Sequence, residues 1–207
     1  MNILIWVFIW YAAFAGYYLF LKKRNILYKN RPRVVVGWYA AMSLLGLIIF
    51  RAEIKWALMG NKPLFAMMGL LLVVVALVLW YHSLTKRDYV PFDVSRNVFL
   101  SKTAEIIFQQ IMVWILFGIL QGILLVINPV ILFTLVFFII HVPLMLVIPL
   151  KKAMFFVTAS LLGGIIFAMC LTYIPSGYLI ALVIHIGFYA AVAGKKKIWG
   201  MDTFYVM

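Results

Sequence analysis

The chain has 207 residues, of which 68% are hydrophobic and only 11% charged, with a mean hydropathy of +1.15 and a formal net charge of +13. A soluble domain is roughly half apolar and about a quarter charged, so this composition excludes a soluble enzyme and a disordered tail. It also excludes a nucleic-acid module, because the cations lie in short clusters between apolar runs, where they set membrane topology and attract anionic headgroups.

A membrane span needs about 20 apolar residues. Seven runs meet or approach that length, over 2–21, 34–50, 64–81, 103–126, 129–150, 153–172 and 177–194. They predict an all-α, polytopic transmembrane bundle of about seven spans. No internal repeat or linker divides it, so residues 1–207 read as a single integral membrane domain. In the first run Ala13-Phe14-Ala15 resembles a signal-peptide cleavage site. However, Lys22, Lys23 and Arg24 follow the run instead of preceding it, which predicts a retained first helix with its N terminus outside. The second and third runs are short, and segment 51–63 between them reads equally as a loop or an interfacial helix. Pro129, Pro143, Pro149 and Pro175 are expected at helix ends or at a kink in the fifth run. Cys170, the single cysteine, cannot form an internal disulfide.

Counting the cations tests the topology. Segments 22–33, 82–102, 151–152 and 195–197 fall on one side of an alternating seven-span arrangement and hold fifteen of the eighteen Lys and Arg. Because Lys and Arg stay cytoplasmic, the C terminus is expected inside a plasma (inner) membrane.

Acidic residues are few: Glu53, Asp88, Asp93, Glu105 and Asp202. Only Glu105 falls within an expected span; the others read as loop or tail residues. His141 and His185 each lie nine residues from the cytoplasmic ends of their runs, roughly 13 Å deep at 1.5 Å per residue. Ionisable groups at such depth normally face the bundle interior or a water-filled cavity. Gln109 follows Glu105 by one turn on the same helix face. Glu105, Gln109, His141 and His185 could therefore meet in the cytoplasmic half of the bundle.

These residues also carry a family resemblance. Ala104-Glu105-Ile106-Ile107-Phe108-Gln109-Gln110 resembles the first motif of the CAAX-protease and bacteriocin-processing (CPBP) family, usually two glutamates, two apolar residues, Phe, Arg and Gly. Phe137-Phe138-Ile139-Ile140-His141 is similar to the second, a Phe four residues before a His. His185-Ile186-Gly187-Phe188-Tyr189 resembles the third, a His followed four residues later by Asn or Asp. The likeness spans residues 98–194, in the family's order. Ala104 stands at the first glutamate, Gln109 at the arginine, Gln110 at the glycine and Tyr189 at the Asn or Asp.

The resemblance implies an intramembrane endopeptidase that cleaves a peptide bond near the cytoplasmic interface. In it Glu105 is the base that activates water, His141 positions that water, Gln109 orients Glu105, and His185 with Tyr189 holds the oxyanion. The departures imply a second function, a catalytically inactive relative that binds a peptide or lipidated protein in the same cavity. The residues have structural readings as well. Glu105 suits the first turn of a helix beside Lys102, and the histidines suit interhelical hydrogen bonds. No cofactor is implied. A zinc ion would need Glu105, His141 and His185 brought together from three spans without local ligand spacing, and no His-Glu-x-x-His motif occurs. Haem between the two histidines has no other support. The expected partners are membrane lipids, with anionic headgroups at the basic loops, and a membrane-associated peptide or protein.

Overall fold

The computed structural model describes residues 2–24, 31–58, 63–85, 92–121, 128–147 and 150–194, and every regular element among them is a helix. Helix α1 (Asn2–Tyr11) passes through a π-helical turn (Ala12–Gly16) into α2 (Tyr17–Lys23). There follow α3 (Pro32–Ile49), α4 (Arg51–Leu58), α5 (Pro63–Thr85), α6 (Phe92–Gln121), α7 (Pro129–Ile139), α8 (Leu144–Val147), α9 (Leu150–Tyr173) and α10 (Gly177–Gly194). Proline opens α3, α5 and α7, where its missing N–H is no loss and its fixed φ favours the first turn. Asn128 caps α7, its side-chain oxygen accepting from Val130 N at 2.9 Å.

Five helical stretches are long and apolar enough to cross a membrane: Asn2–Leu21, Pro32–Ile49, Pro63–Leu84, Arg96–Gln121 and Ala153–Tyr173. Two further apolar helices, Pro129–Ile139 and Gly177–Ala191, are shorter. The protein is thus an all-helical membrane protein. The expected continuous span over 129–150 is instead broken: α7 stops at Ile139 and residues 140–143 form turns before α8. Pro143 has no N–H to continue the helix, so Val142 N takes the Ile139 carbonyl at 3.1 Å. Segment 51–63 begins as a helix, α4. Glu53 lies on it and Asp93 lies within α6, so neither is the loop residue expected. Segment 122–127 of the fourth expected span, Asp88, Asp202 and the basic stretch 195–197 lie outside the described residues.

Helix α6 is the axis of the molecule. Of its most apolar 18-residue window 72% is buried, against 22–33% in the other four long stretches. One set of buried side chains gathers Trp6, Trp10, Tyr39, Phe108, Met112 and Phe133 from α1, α3, α6 and α7. A second joins α5 and α10 to α6 through Trp80, Ile106, Ile186 and Tyr189. Outward faces are as apolar as the core, with Met67, Leu71 and Val78 of α5 and Leu162 and Met169 of α9 exposed. Water would not tolerate a patch of that extent, whereas acyl chains match it.

Small residues set the helix spacings. A Cβ on Gly164 of α9 would lie 3.2 Å from Thr134 Cα of α7, and one on Gly69 of α5 would lie 2.9 Å from Leu179 Cβ of α10. Gly118 of α6 admits the backbone of Glu53, which docks α4 onto the bundle. Between α9 and α10, Ser176 adopts a left-handed φ of 55°, and any side chain on Gly177 would collide with the Cys170 carbonyl. The resulting tight turn holds α9 and α10 antiparallel.

Candidate functional site

Helix α6 places three polar residues at helical spacing. Lys102, Glu105 and Gln109 fall at i, i+3 and i+7, hence on one face. Lys102 Nζ donates to both Glu105 oxygens, at 2.8 and 2.9 Å, and Gln109 Nε2 donates to Oε1 at 3.1 Å. Glu105 is only 6% exposed, so this bidentate ion pair is largely removed from water. The ammonium of Lys102 also lies 5.1 Å from the ring centre of Tyr189 on α10, a cation–π contact.

His185, four residues before Tyr189 on the same helix, stacks at a tilt against it, with 5.6 Å between ring centres. Its Nδ1 bonds the side-chain oxygen of Gln110 at 3.3 Å. An amide oxygen only accepts, so in this bond the proton is on Nδ1 and Nε2 carries the free lone pair.

His141 belongs to a different environment. It lies in the turn after α7, and its Nδ1 donates to the Phe137 carbonyl at 2.6 Å. That carbonyl is free because His141 N bonds Phe138 O instead, a tighter closure of the last turn. Across the same break Tyr11 Oη donates to the Ile140 carbonyl at 2.9 Å. Trp10 and Phe137 enclose the imidazole, at 5.6 and 4.6 Å between centres. At membrane depth, backbone groups released by a break must find partners within the protein. His141 and Tyr11 supply two of them.

The structure therefore brings Glu105 to Gln109, and His185 to Tyr189, as the sequence reading expects. It does not bring Glu105 to either histidine by a hydrogen bond. An aromatic relay links the two histidines, His141 to Phe137, Phe137 to Phe167 at 6.0 Å, and Phe167 to His185 at 5.4 Å. Among the described residues no three His, Cys, Asp or Glu side chains come together as a metal-ligand set. The Glu105, His141 and His185 zinc set is accordingly not assembled here. Gln110 is the participant that sequence reasoning missed. It is fully buried and meets His185 directly.

Comparison with known proteins gives no match: no family model, curated protein or solved structure matches the chain.

Proposed function

We propose that this is an inner-membrane protein with seven membrane-embedded helices that binds a peptide or lipidated protein between them without cleaving it. In motif order it is similar to CPBP proteases, and the likeness rests on the motifs in residues 98–194 alone. The observation that carries the non-catalytic reading is the closure of Glu105. A general base must reach a water and accept its proton, yet both carboxylate oxygens are engaged by Lys102, and no histidine stands within hydrogen-bond reach. Ala104 at the first family glutamate supports the same reading, as does His141, whose ring nitrogen is committed to the α7 break.

Seven embedded helices follow if α7 and α10 accompany the five long stretches, with α7–α8 as a broken helix buried in the protein. The cation count then puts the N terminus outside and the C terminus in the cytoplasm. A reporter fused to the C terminus should be active only in the cytoplasm.

The decisive experiment uses purified protein in liposomes with membrane-tethered peptide substrates. No cleavage is expected from the wild type, and none should appear in Lys102→Met, which releases the carboxylate. Turnover that disappears in Glu105→Gln and His185→Ala would overturn the proposal and establish a peptidase.

A further inference from the structure

Helix α6 is the axis of the bundle, yet one of its faces is open at the end that carries Lys102. At about 100° per residue, Arg96, Leu100, Ile107, Ile111 and Gly118 fall within ~60° of one another. At Gly118 this face is covered by α4, whose Glu53 backbone rests against the glycine. Ile111 is buried, whereas Ile107 and Leu100 are 42% and 41% exposed. From Leu100 to Ile111 the face runs about 16 Å at 1.5 Å per residue. That is close to one leaflet, half of a hydrocarbon core about 30 Å thick.

Two helices wall the open part. Helix α3 meets α6 through Tyr39 and Phe108, 5.6 Å between ring centres, and α5 meets it through Tyr81 and Phe99 at 5.1 Å. Each packs on α6, but α3 and α5 barely meet each other. Trp38 turns one flank of α3 to the Ala13 carbonyl of the π-helical turn. Arg33 and Ala40, roughly opposite Trp38 around the helix, are exposed beside the groove. Gly46 faces Ile115 as Tyr39 faces Phe108, so α3 and α6 run parallel. Arg33, six residues before Tyr39, is therefore level with the turn of Lys102. Arg96 is exposed one turn before Leu100 on the floor. Among the described residues neither arginine has an ion pair.

An apolar furrow one leaflet long, capped by α4 and flanked at its mouth by two unpaired guanidinium groups, has the polarity of a phospholipid. Guanidinium forks pair bidentately with phosphate. A neighbouring transmembrane helix, a second copy of this chain included, would bring its own basic flank to the same end, because cations gather on one side of a membrane. Like charges would then meet. We propose that the groove holds one phospholipid from the leaflet at the Lys102 end, with its phosphate at Arg33 and Arg96 and one acyl chain along Leu100 and Ile107. The groove is open to the bilayer, so no helix moves to admit the lipid. Phosphate is common to zwitterionic and anionic lipids, and the site takes either.

The test uses the full chain in maltoside micelles, titrated with phosphatidylcholine bearing a diazirine on its acyl chain, and separately with diacylglycerol bearing the same group. Labelling of residues 100–111 should saturate at one phosphatidylcholine per chain. Half-saturation should need at least about tenfold more lipid with diacylglycerol, and likewise with phosphatidylcholine in Arg33→Gln and in Arg96→Gln, each of which removes a charge-assisted hydrogen bond. Ile107→Trp fills the floor from an exposed position, so it should abolish the labelling and leave the Tm unchanged. Equal labelling by the two lipids, or indifference to both arginine variants, overturns the proposal. Labelling that never saturates would mean annular lipid only and overturns it too. With Cys170 buried, a disulfide dimer of Ile107→Cys that excludes the lipid would give the groove to a second copy instead.

Discussion

Lys102 and Glu105 stand three residues apart on α6, and the state of each depends on the other. Their side chains are 14% and 8% exposed, so neither charge is well solvated. Removing one partner of such a pair leaves a charge that the surroundings cannot answer, a cost of about 3–5 kcal/mol, while replacing both by apolar groups is often neutral. Glu105→Leu and Lys102→Met should each destabilise strongly, and the double variant should recover most of the loss. Equilibrium unfolding of the four proteins in detergent checks this, and additive losses would show that the pair is not coupled. A smaller effect is expected at the α7 break. Tyr11→Phe and His141→Phe keep their rings but surrender the bonds to Ile140 and Phe137 carbonyls. Each should lower stability by about 1 kcal/mol. A loss of ligand binding in His141→Phe with stability unchanged would instead return His141 to the site.

At the scale of the helix, glycine tells contact from open space. Gly118→Ala would press a methyl into the Glu53 backbone, which cannot retreat as a side-chain tip does. Overpacking of that kind costs about 1–3 kcal/mol and should loosen α4 from α6. Gly37 on α3 and Gly187 on α10 have nothing within 4 Å of a built Cβ, so alanine there should be neutral or slightly stabilising. Thermal unfolding of the three variants separates them, and equal effects would contradict the packing described. These positions also mark where a sequence can be read and where it cannot. Run length is a one-dimensional property, so the five long stretches are visible in the chain. The break after Ile139 is less visible, because what makes it tolerable is Tyr11, more than a hundred residues earlier. The docking of α4 likewise depends on one small residue, Gly118, on another helix. Depth placed His141 and His185 at one level, but rotation about the helix axis decides what each touches. For that reason Gln110, and not Glu105, is the neighbour of His185. The signal for Gln110 was nevertheless present, as Thr103, Gln110 and Trp114 stand at i, i+7 and i+11, on one face of α6.

Across the whole molecule the two ends differ in charge. Trp6 donates to the Met112 carbonyl at 2.9 Å and Phe14 meets Phe108 at 5.5 Å, so the first helix runs antiparallel to α6. Its end at α2 therefore lies toward the Lys102 end of α6. There Lys23, Arg24, Arg31 and Arg33 are exposed, whereas Arg51 and Lys55 are the exposed cations of α4. A cation near an anionic leaflet contributes about 1 kcal/mol, and this attraction is confined to a screening length of about 10 Å at 0.1 M salt and about 3 Å at 1 M. The protein in mixed nanodiscs should thus enrich anionic over zwitterionic lipid at 0.1 M salt and lose most of that enrichment at 1 M. Substituting Arg31 and Arg33 by Gln should weaken it at low salt, while Arg51→Gln should leave it nearly unchanged if the α2–α3 end faces the anionic leaflet. Lipid composition around the protein, read by native mass spectrometry, decides the matter. Enrichment that persists at 1 M would mean a dry, specific lipid contact instead of a diffuse field, and dependence on Arg51 alone would reverse the orientation proposed for the chain.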